Sequence, residues 1–196
     1  MGTAKGERRR HELVTAAADL LRTGGFDAVR HRAVAERAGL PLASTTYYFA
    51  SLEDLVTAAV ERHGWDGLAE GRARLTALAD GPVDDAELVE LFLDQMLGVE
   101  SRDGGLPSVL LRYEQLVGSG RRPYLAPLMR AMKGEFEAIL HEILAHAGRP
   151  LDDAGLRDLV WLVDGAVVGA LIEADPDPRS VAREVLRRQL RSPGPA

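Results

Sequence analysis

The sequence contains no cysteine in its 196 residues. Disulfide bonds and thiolate zinc sites are therefore excluded, and a reducing cytoplasm is the expected location. Long apolar runs are also missing, because no stretch approaches the roughly 18 residues of a membrane-spanning helix. The basic N-terminus lacks the apolar segment of a signal peptide. We therefore expect a cytoplasmic protein with no membrane partner.

Aromatic residues are scarce at 5%, although hydrophobic residues reach 46% and are mostly alanine and leucine. This composition supplies a core and favours helix packing over sheets. No segment alternates as a strand does, and Gly and Pro residues, such as Gly81-Pro82, separate helical stretches. We predict an all-α fold of about nine helices, at about Glu7–Thr23, Arg32–Ala38, Leu42–Tyr48, Leu52–Ala79, Asp85–Val99, Leu106–Val117, Arg122–His146, Asp153–Ala174 and Pro178–Arg191.

Positive charge is scarce overall, since the net charge is −6, but it is unevenly distributed. Residues 1–50 hold eight Lys and Arg against five Asp and Glu, a net charge of +3, which leaves −9 for the remainder. A basic N-terminal part on an acidic body fits a nucleic-acid-binding domain attached to a domain of another kind. The alternative is that a few surface arginines happen to lie at one end. The basic arm at residues 5–10 could contact phosphates or simply be a solvated terminus.

The segment 30–49, RHRAVAERAGLPLASTTYYF, predicts two short helices joined by a tight turn. Gly39 can leave the first helix in the left-handed region, and Pro41 is suited to the first position of the second. The second helix is rich in hydroxyls and aromatic rings and poor in charge. Such side chains can bond phosphates or base edges, so the pair predicts a helix-turn-helix whose second helix enters the major groove of DNA.

This segment, with the Ser-x-x-Asp helix start that follows it, resembles the DNA-binding signature of the TetR family of transcriptional regulators over about Glu7 to Ala59. The sequence departs from the common pattern at Arg30, Pro41, Leu42 and Leu52, and Thr46 stands where a tyrosine is usual. The resemblance implies a helix-turn-helix domain at residues 1–51 and a helical ligand-binding and dimerisation domain at residues 52–196. It also implies a double-stranded operator as partner.

Geometry and resemblance together assign the DNA-contacting residues. Arg32 is expected to reach a guanine or, alternatively, a phosphate. Ser51 begins a capping box with Asp54, at a helix start that can hold a phosphate. Thr45 and Phe49 are expected to face inward. The full predicted DNA-binding set is Arg32, Leu42, Ala43, Ser44, Thr46, Tyr47, Tyr48 and Ser51.

The stretch from Asp153 to Ala174 is apolar nearly all round, which predicts a helix buried on more than one side. Small residues along it let a second backbone approach closely. We interpret it as a homodimer interface, as the resemblance implies; the alternative is the central core helix of a monomer. The predicted interface residues are Leu162, Gly165, Ala166, Gly169 and Ala170.

The resemblance further implies a pocket for an unknown small-molecule effector in the body. Aromatic and methionine side chains suit such a pocket, although each could be ordinary core. Arg112 or Glu114 could add a polar contact. The candidates are Trp65, Phe92, Met96, Tyr113, Met129, Met132, Phe136 and Trp161.

No signal favours an enzyme. His141 and His146 are five residues apart, unlike ligands at i and i+4 on one helix face, so we expect no metal site. No motif predicts a cofactor. The leading hypothesis is a homodimeric repressor that a small molecule releases from its operator. The alternatives are an all-α small-molecule binding or scaffold protein whose N-terminal unit no longer binds DNA, and an activator or architectural protein on the same fold.

Overall fold

The computed structural model describes residues 4–78 and 83–191. Over these ranges the chain forms nine α-helices and one 3₁₀ turn, with no β-strand, which confirms the all-α class and the predicted number of helices. The predicted break at Gly81-Pro82 lies outside them. None of the described helices is long and apolar enough to cross a membrane. The elements are α1 (Ala4–Ala28), α2 (His31–Ala38), α3 (Leu42–Tyr48), α4 (Leu52–Ala77), α5 (Asp85–Leu97), α6 (Ser101–Gly120), a 3₁₀ turn (Pro123–Leu125), α7 (Ala126–His146), α8 (Asp153–Ile172) and α9 (Pro178–Arg191).

Two of these ranges each join two helical pieces across a glycine whose backbone angles are not helical. Gly25 has φ 65° inside α1, and Gly105 has φ 51° inside α6. Both values lie in the left-handed region that glycine enters at no steric cost. The first helical piece therefore stops at Gly25, close to its predicted end at Thr23, and a short second piece continues to Ala28.

The chain divides into two compact units at positions other than the predicted 51/52 boundary. The head unit comprises the chain up to Gly67 together with Glu114–Met132. The body unit comprises Leu68–Tyr113 and the chain from Lys133 onward. The division falls inside α4, α6 and α7, because a long helix gives its two halves different neighbours. The functional boundary at 51/52 stays a prediction.

The core of the head unit lies under the two short helices. Leu13, Val29, Val34 and Leu55 are fully buried there. Phe26 contacts α6, because a Cβ at Gly118 would lie 2.8 Å from its ring.

The core of the body unit is built on α5, which is buried from Phe92 to Leu97. It also contains a buried ionic cluster around Arg179, which is 1% exposed. Arg179 donates hydrogen bonds to Asp94 at 2.8 Å, Glu90 at 2.7 Å and Ser101 at 2.6 Å. A buried charge requires such partners, so the cluster fixes α9 on α5 and on the start of α6.

Candidate nucleic-acid interface

The turn between α2 and α3 follows from two residues. Gly39 has φ 65°, and the amide of Leu40 donates to the carbonyl of Ala35 at 3.0 Å, which closes the C-terminus of α2. Pro41 is the N-cap residue and Leu42 is the first helical residue of α3. Pro41 thus lies just before the helix, rather than at its first position as predicted. Its ψ of 143° is the extended conformation of an N-cap, which redirects the chain into α3.

Thr45 and Phe49 face inward, as the sequence predicts, since they are 0% and 3% exposed. Packing these two residues inward determines which side chains face solvent. Leu42, Ala43, Thr46 and Tyr47 are exposed, whereas Ser44 and Tyr48 are half-buried. Tyr47 is 80% exposed, and its ring meets that of Tyr48 edge-on at 4.9 Å between centroids.

The two threonine hydroxyls on α3 already have partners within the helix. Thr46 donates to the carbonyl of Ala43 at 3.2 Å, and Thr45 donates to that of Leu42 at 2.8 Å. Thr46 therefore offers DNA a methyl group and a hydroxyl lone pair rather than a free donor. Together with Ala43 and Leu42 it forms a small apolar surface suited to thymine methyl groups.

Ser51 and Asp54 form the predicted capping box at the start of α4. The amide of Asp54 donates to the Ser51 hydroxyl oxygen at 3.0 Å, and the amide of Ser51 donates to the Asp54 carboxylate at 3.1 Å. The reciprocal bonds fix the entry of the chain into the helix. Ser51 remains exposed, so its hydroxyl hydrogen stays available to a phosphate oxygen.

Arginine side chains surround this surface. Arg32, in the first turn of α2, bonds Glu36 and is 84% exposed. In α1, which includes the predicted basic arm at residues 5–10, the Arg10 guanidinium lies 5.4 Å from the centre of the Phe49 ring. Arg10 and Arg32 thus give the head unit exposed positive charge, which attracts phosphates of any sequence.

The eight predicted pocket residues do not share one environment. Trp65, Met129 and Met132 belong to the head unit and the other five to the body unit. Phe92, Met96, Tyr113 and Met132 are buried, Met129 and Phe136 are half-buried, and Trp65 and Trp161 are exposed. A cavity of about 340 Å³ between α5 and α9 contains none of them; it is lined by Asp85, Ala86, Val89, Arg187, Leu190 and Arg191. The effector pocket therefore stays a prediction.

Sequence reasoning missed Asp164, the partner of the predicted pocket residue Tyr113. The Tyr113 hydroxyl donates to Asp164 Oδ1 at 2.7 Å, and the neighbouring Arg112 donates to the carbonyls of Met96 and Gln95 at 2.5 and 3.2 Å. Burial, followed by the hydrogen bond to Asp164, raises the pKa of Tyr113 well above its usual range. No local motif marks Asp164, because its partner is 51 positions away in the sequence. Glu114, by contrast, is exposed.

Four of the five predicted interface residues keep accessible surface on α8. Leu162 and Gly165 are exposed, while Ala166 and Gly169 are half-buried. Ala170 is 4% exposed and packs in the core of its own chain, so including it was wrong. Its position on α8 places it in line with Val163 and Val167, on the inward face.

Trp161 lies on the outer face of α8 rather than in the interior. It is 63% exposed, and Val168 and Ile172, about two and three turns further along the same face, are 42% and 80% exposed. A Cβ built at Gly165 or Gly169 meets no atom within 4 Å, so this face has no neighbour in the described chain. An exposed apolar stripe of this kind marks an interaction surface.

This fold and surface define a class, the helix-turn-helix regulators of transcription. Residues 13–59 match the bacterial regulatory proteins, tetR family, and residues 83–192 match the Tetracyclin repressor-like, C-terminal domain. The chain belongs to the TetR family, which confirms the resemblance found in the sequence, and it is a TetR-family transcription regulator.

Solved structures agree with this assignment. Multidrug binding protein EbrR complexed with imidazole is 33% identical over 96% of this chain and 97% of that chain, with a TM-score of 0.64. A TetR family member from Streptomyces coelicolor A3, SCO1917, is 33% identical over 92% and 96%, with a TM-score of 0.59. A putative transcriptional regulator from Saccharomonospora viridis in complex with choline is 20% identical over 94% and 95%, with a TM-score of 0.67, and shows the fold alone. No curated protein matches the chain.

Proposed function

We propose that this protein is a homodimeric repressor that leaves its operator when a small organic cation binds the body unit. The observation that carries DNA recognition is the division of α3 into a buried face with Thr45 and an exposed face with Tyr47. The likeness of residues 83–192 to the Tetracyclin repressor-like C-terminal domain supports repression.

The exposed stripe on α8 supports a homodimer. Trp161, Leu162, Val168 and Ile172 give it large apolar side chains, and Gly169 lets a second helix approach closely. Two copies joined there would present two recognition helices. Recognition helices about 34–36 Å apart read successive major grooves on one side of the duplex.

The acidic body supports a cationic effector. The Asp164 carboxylate is half-buried and accepts a hydrogen bond from the Tyr113 hydroxyl, and a partly buried carboxylate suits an organic cation. Structures of EbrR, 32–35% identical to this chain, contain proflavin, malachite green and ethidium, which are aromatic organic cations. We therefore assign the same chemical class of effector to this protein.

Release follows from differential binding. A ligand shifts a protein only toward the conformation that it binds more tightly, and only by the difference in its two affinities. A cation that pairs with Asp164 competes with the Tyr113 hydroxyl for the carboxylate, so it favours a body conformation different from the one described here. DNA binding and cation binding then oppose each other, and each weakens the other by the same factor.

The test begins with selection of tight sites from random DNA by the purified full chain. We expect an inverted repeat bound with the stoichiometry of a dimer or a pair of dimers. Proflavin should release the protein from this site, and Asp164→Asn should need at least about tenfold more proflavin, since a charge-assisted contact is lost. Glu87→Gln, an exposed carboxylate on α5 of the same unit, is the control. Enrichment of no sequence would contradict operator binding, and equal proflavin responses in wild type and D164N would contradict the effector site.

A further inference from the structure

One ion pair at the head unit has a geometry that suits base recognition. Arg32 Nε donates to Glu36 Oε1 at 2.9 Å, across one turn of α2. The two side chains are 84% and 67% exposed. The carboxylate thus accepts a hydrogen bond from Nε of the guanidinium. The high exposure of Arg32 leaves its two terminal nitrogens accessible.

The neighbouring arginines are paired differently. Arg30 contacts Asp27 through Nη2 at 3.3 Å, and Arg37 contacts Asp19 through Nη2 at 3.5 Å. A guanidinium reads guanine by donating two parallel hydrogen bonds to O6 and N7. Arg30 and Arg37 therefore share a terminal nitrogen with a carboxylate, whereas Arg32 keeps both terminal nitrogens clear of its carboxylate partner.

We propose that Glu36 is a positioning residue that orients Arg32 for bidentate recognition of one guanine in the operator. The carboxylate holds the guanidinium plane, so less side-chain freedom is lost when the hydrogen bonds to guanine form. Glu36 also cancels the charge of Arg32, which weakens its attraction to phosphates of any sequence. The pair therefore raises discrimination more than affinity. This inference rests on the proposed function, because it requires that the head unit binds an operator.

Glu36→Gln tests the proposal with the selected operator and random DNA. Each operator guanine is replaced in turn by 7-deazaguanine, which lacks the N7 acceptor. The guanine that Arg32 reads is identified as the one whose replacement weakens operator binding by wild type but not by Arg32→Ala. At that guanine we expect E36Q to lose about threefold or more of the wild-type discrimination, because a bidentate arginine depends on its orientation. Affinity of E36Q for random DNA should stay equal or increase.

Glu137→Gln is the matched control, because Glu137 forms an i,i+4 pair with Lys133 on α7 and loses the same charge. The double variant Arg32→Ala/Glu36→Gln should discriminate no worse than Arg32→Ala alone. Unchanged circular dichroism and melting temperature would show that E36Q folds normally.

Three results would overturn the proposal. The first is full discrimination at that guanine in E36Q. The second is an equal rise in affinity for operator and random DNA, which would make Glu36 a simple repulsive charge. The third is loss of discrimination at every guanine alike, which would indicate a structural role. If the wild-type protein prefers no DNA sequence, the proposed function is contradicted as well. If wild type prefers an operator and E36Q discriminates equally well, only this inference is contradicted.

Discussion

The Tyr113 hydroxyl lies 2.7 Å from Asp164 Oδ1 and joins α6 to α8 within the body unit. Tyr113→Phe removes the donor and leaves the carboxylate half-buried without this partner. We expect a loss of about 1 kcal/mol in the free energy of unfolding, at the low end for a charged hydrogen bond because water can reach Asp164. Urea denaturation at pH 7 measures it. An unchanged midpoint would show that the contact contributes nothing.

The same contact predicts an alkaline limit to stability. Burial and Asp164 raise the pKa of Tyr113 above its ordinary value of 10.0. Because the folded state keeps the proton that the unfolded state releases, the stabilisation is complete below pH 10 and declines as the pH rises above it. Denaturation between pH 8 and 11 should show a smaller decline in Tyr113→Phe than in wild type. Parallel curves would contradict a raised pKa.

The ionic cluster around Arg179 predicts an acid limit. Partial burial disfavours the charged form of Glu90, but hydrogen bonds from Arg183 and Arg179 outweigh it and lower its pKa from 4.5 to about 2. Glu90 therefore stabilises the fold fully above pH 4.5, and about 2–3 kcal/mol of that stabilisation is lost as the pH falls toward 2.

Denaturation followed from pH 7 to pH 2 checks this prediction. Glu90→Gln should be less stable at pH 7 and should have a flatter pH dependence below 4.5. Glu87→Gln, which changes an exposed carboxylate on the same helix, is the control and should follow wild type. Identical acid profiles for wild type and E90Q would refute the role of the cluster.

Substitution by alanine should have opposite effects on stability at two glycines of α4. A Cβ at Gly71 would lie 2.1 Å from Oε1 of the buried Gln95, whereas a Cβ at Gly67 meets nothing within 4 Å. Gly67→Ala should stabilise by about 0.5–1 kcal/mol through helix propensity. Gly71→Ala should destabilise by about 1–2 kcal/mol, because Gln95 must move within a packed core. Melting temperatures of the two variants decide it, and equal shifts would contradict the packing described.

The helix-turn-helix could be predicted from sequence because its determinants are local. Gly39, the Ser51–Asp54 cap and the inward faces of Thr45 and Phe49 depend on neighbours within a few residues. The body was less predictable. Asp164 contacts Tyr113, which is 51 positions away in the sequence, and Arg179 contacts Asp94, which is 85 positions away. No local sequence pattern marks either contact.

Errors in the body have a common physical cause. An apolar residue on a helix can face its own core, a ligand or a partner, and periodicity does not separate these cases. Trp161 was assigned to the pocket and lies on the outer face of α8, while Ala170 was assigned to the interface and lies in the core.

The exposed apolar stripe on α8 predicts a substitution that should break the proposed dimer. Gly169→Leu adds a bulky side chain where the described chain leaves open space, so each protomer should fold but two should not pack closely. Gly134→Leu on α7, which also meets no atom within 4 Å, is the control. Light scattering should report monomers for G169L and dimers for G134L and wild type. A dimeric G169L would move the interface elsewhere.

The most direct measurement for the central claim is the affinity of Tyr47→Ala for the selected operator, compared with random DNA across a salt series. Tyr47 is 80% exposed on the face of α3 assigned to DNA, so its removal should leave folding unchanged. We predict at least about tenfold weaker operator binding and nearly unchanged binding to random DNA, because base contacts rather than phosphate contacts are lost. Val117→Ala, also exposed in the head unit, should bind as wild type. Operator affinity in Y47A equal to wild type would contradict the assignment of α3 as the reading helix.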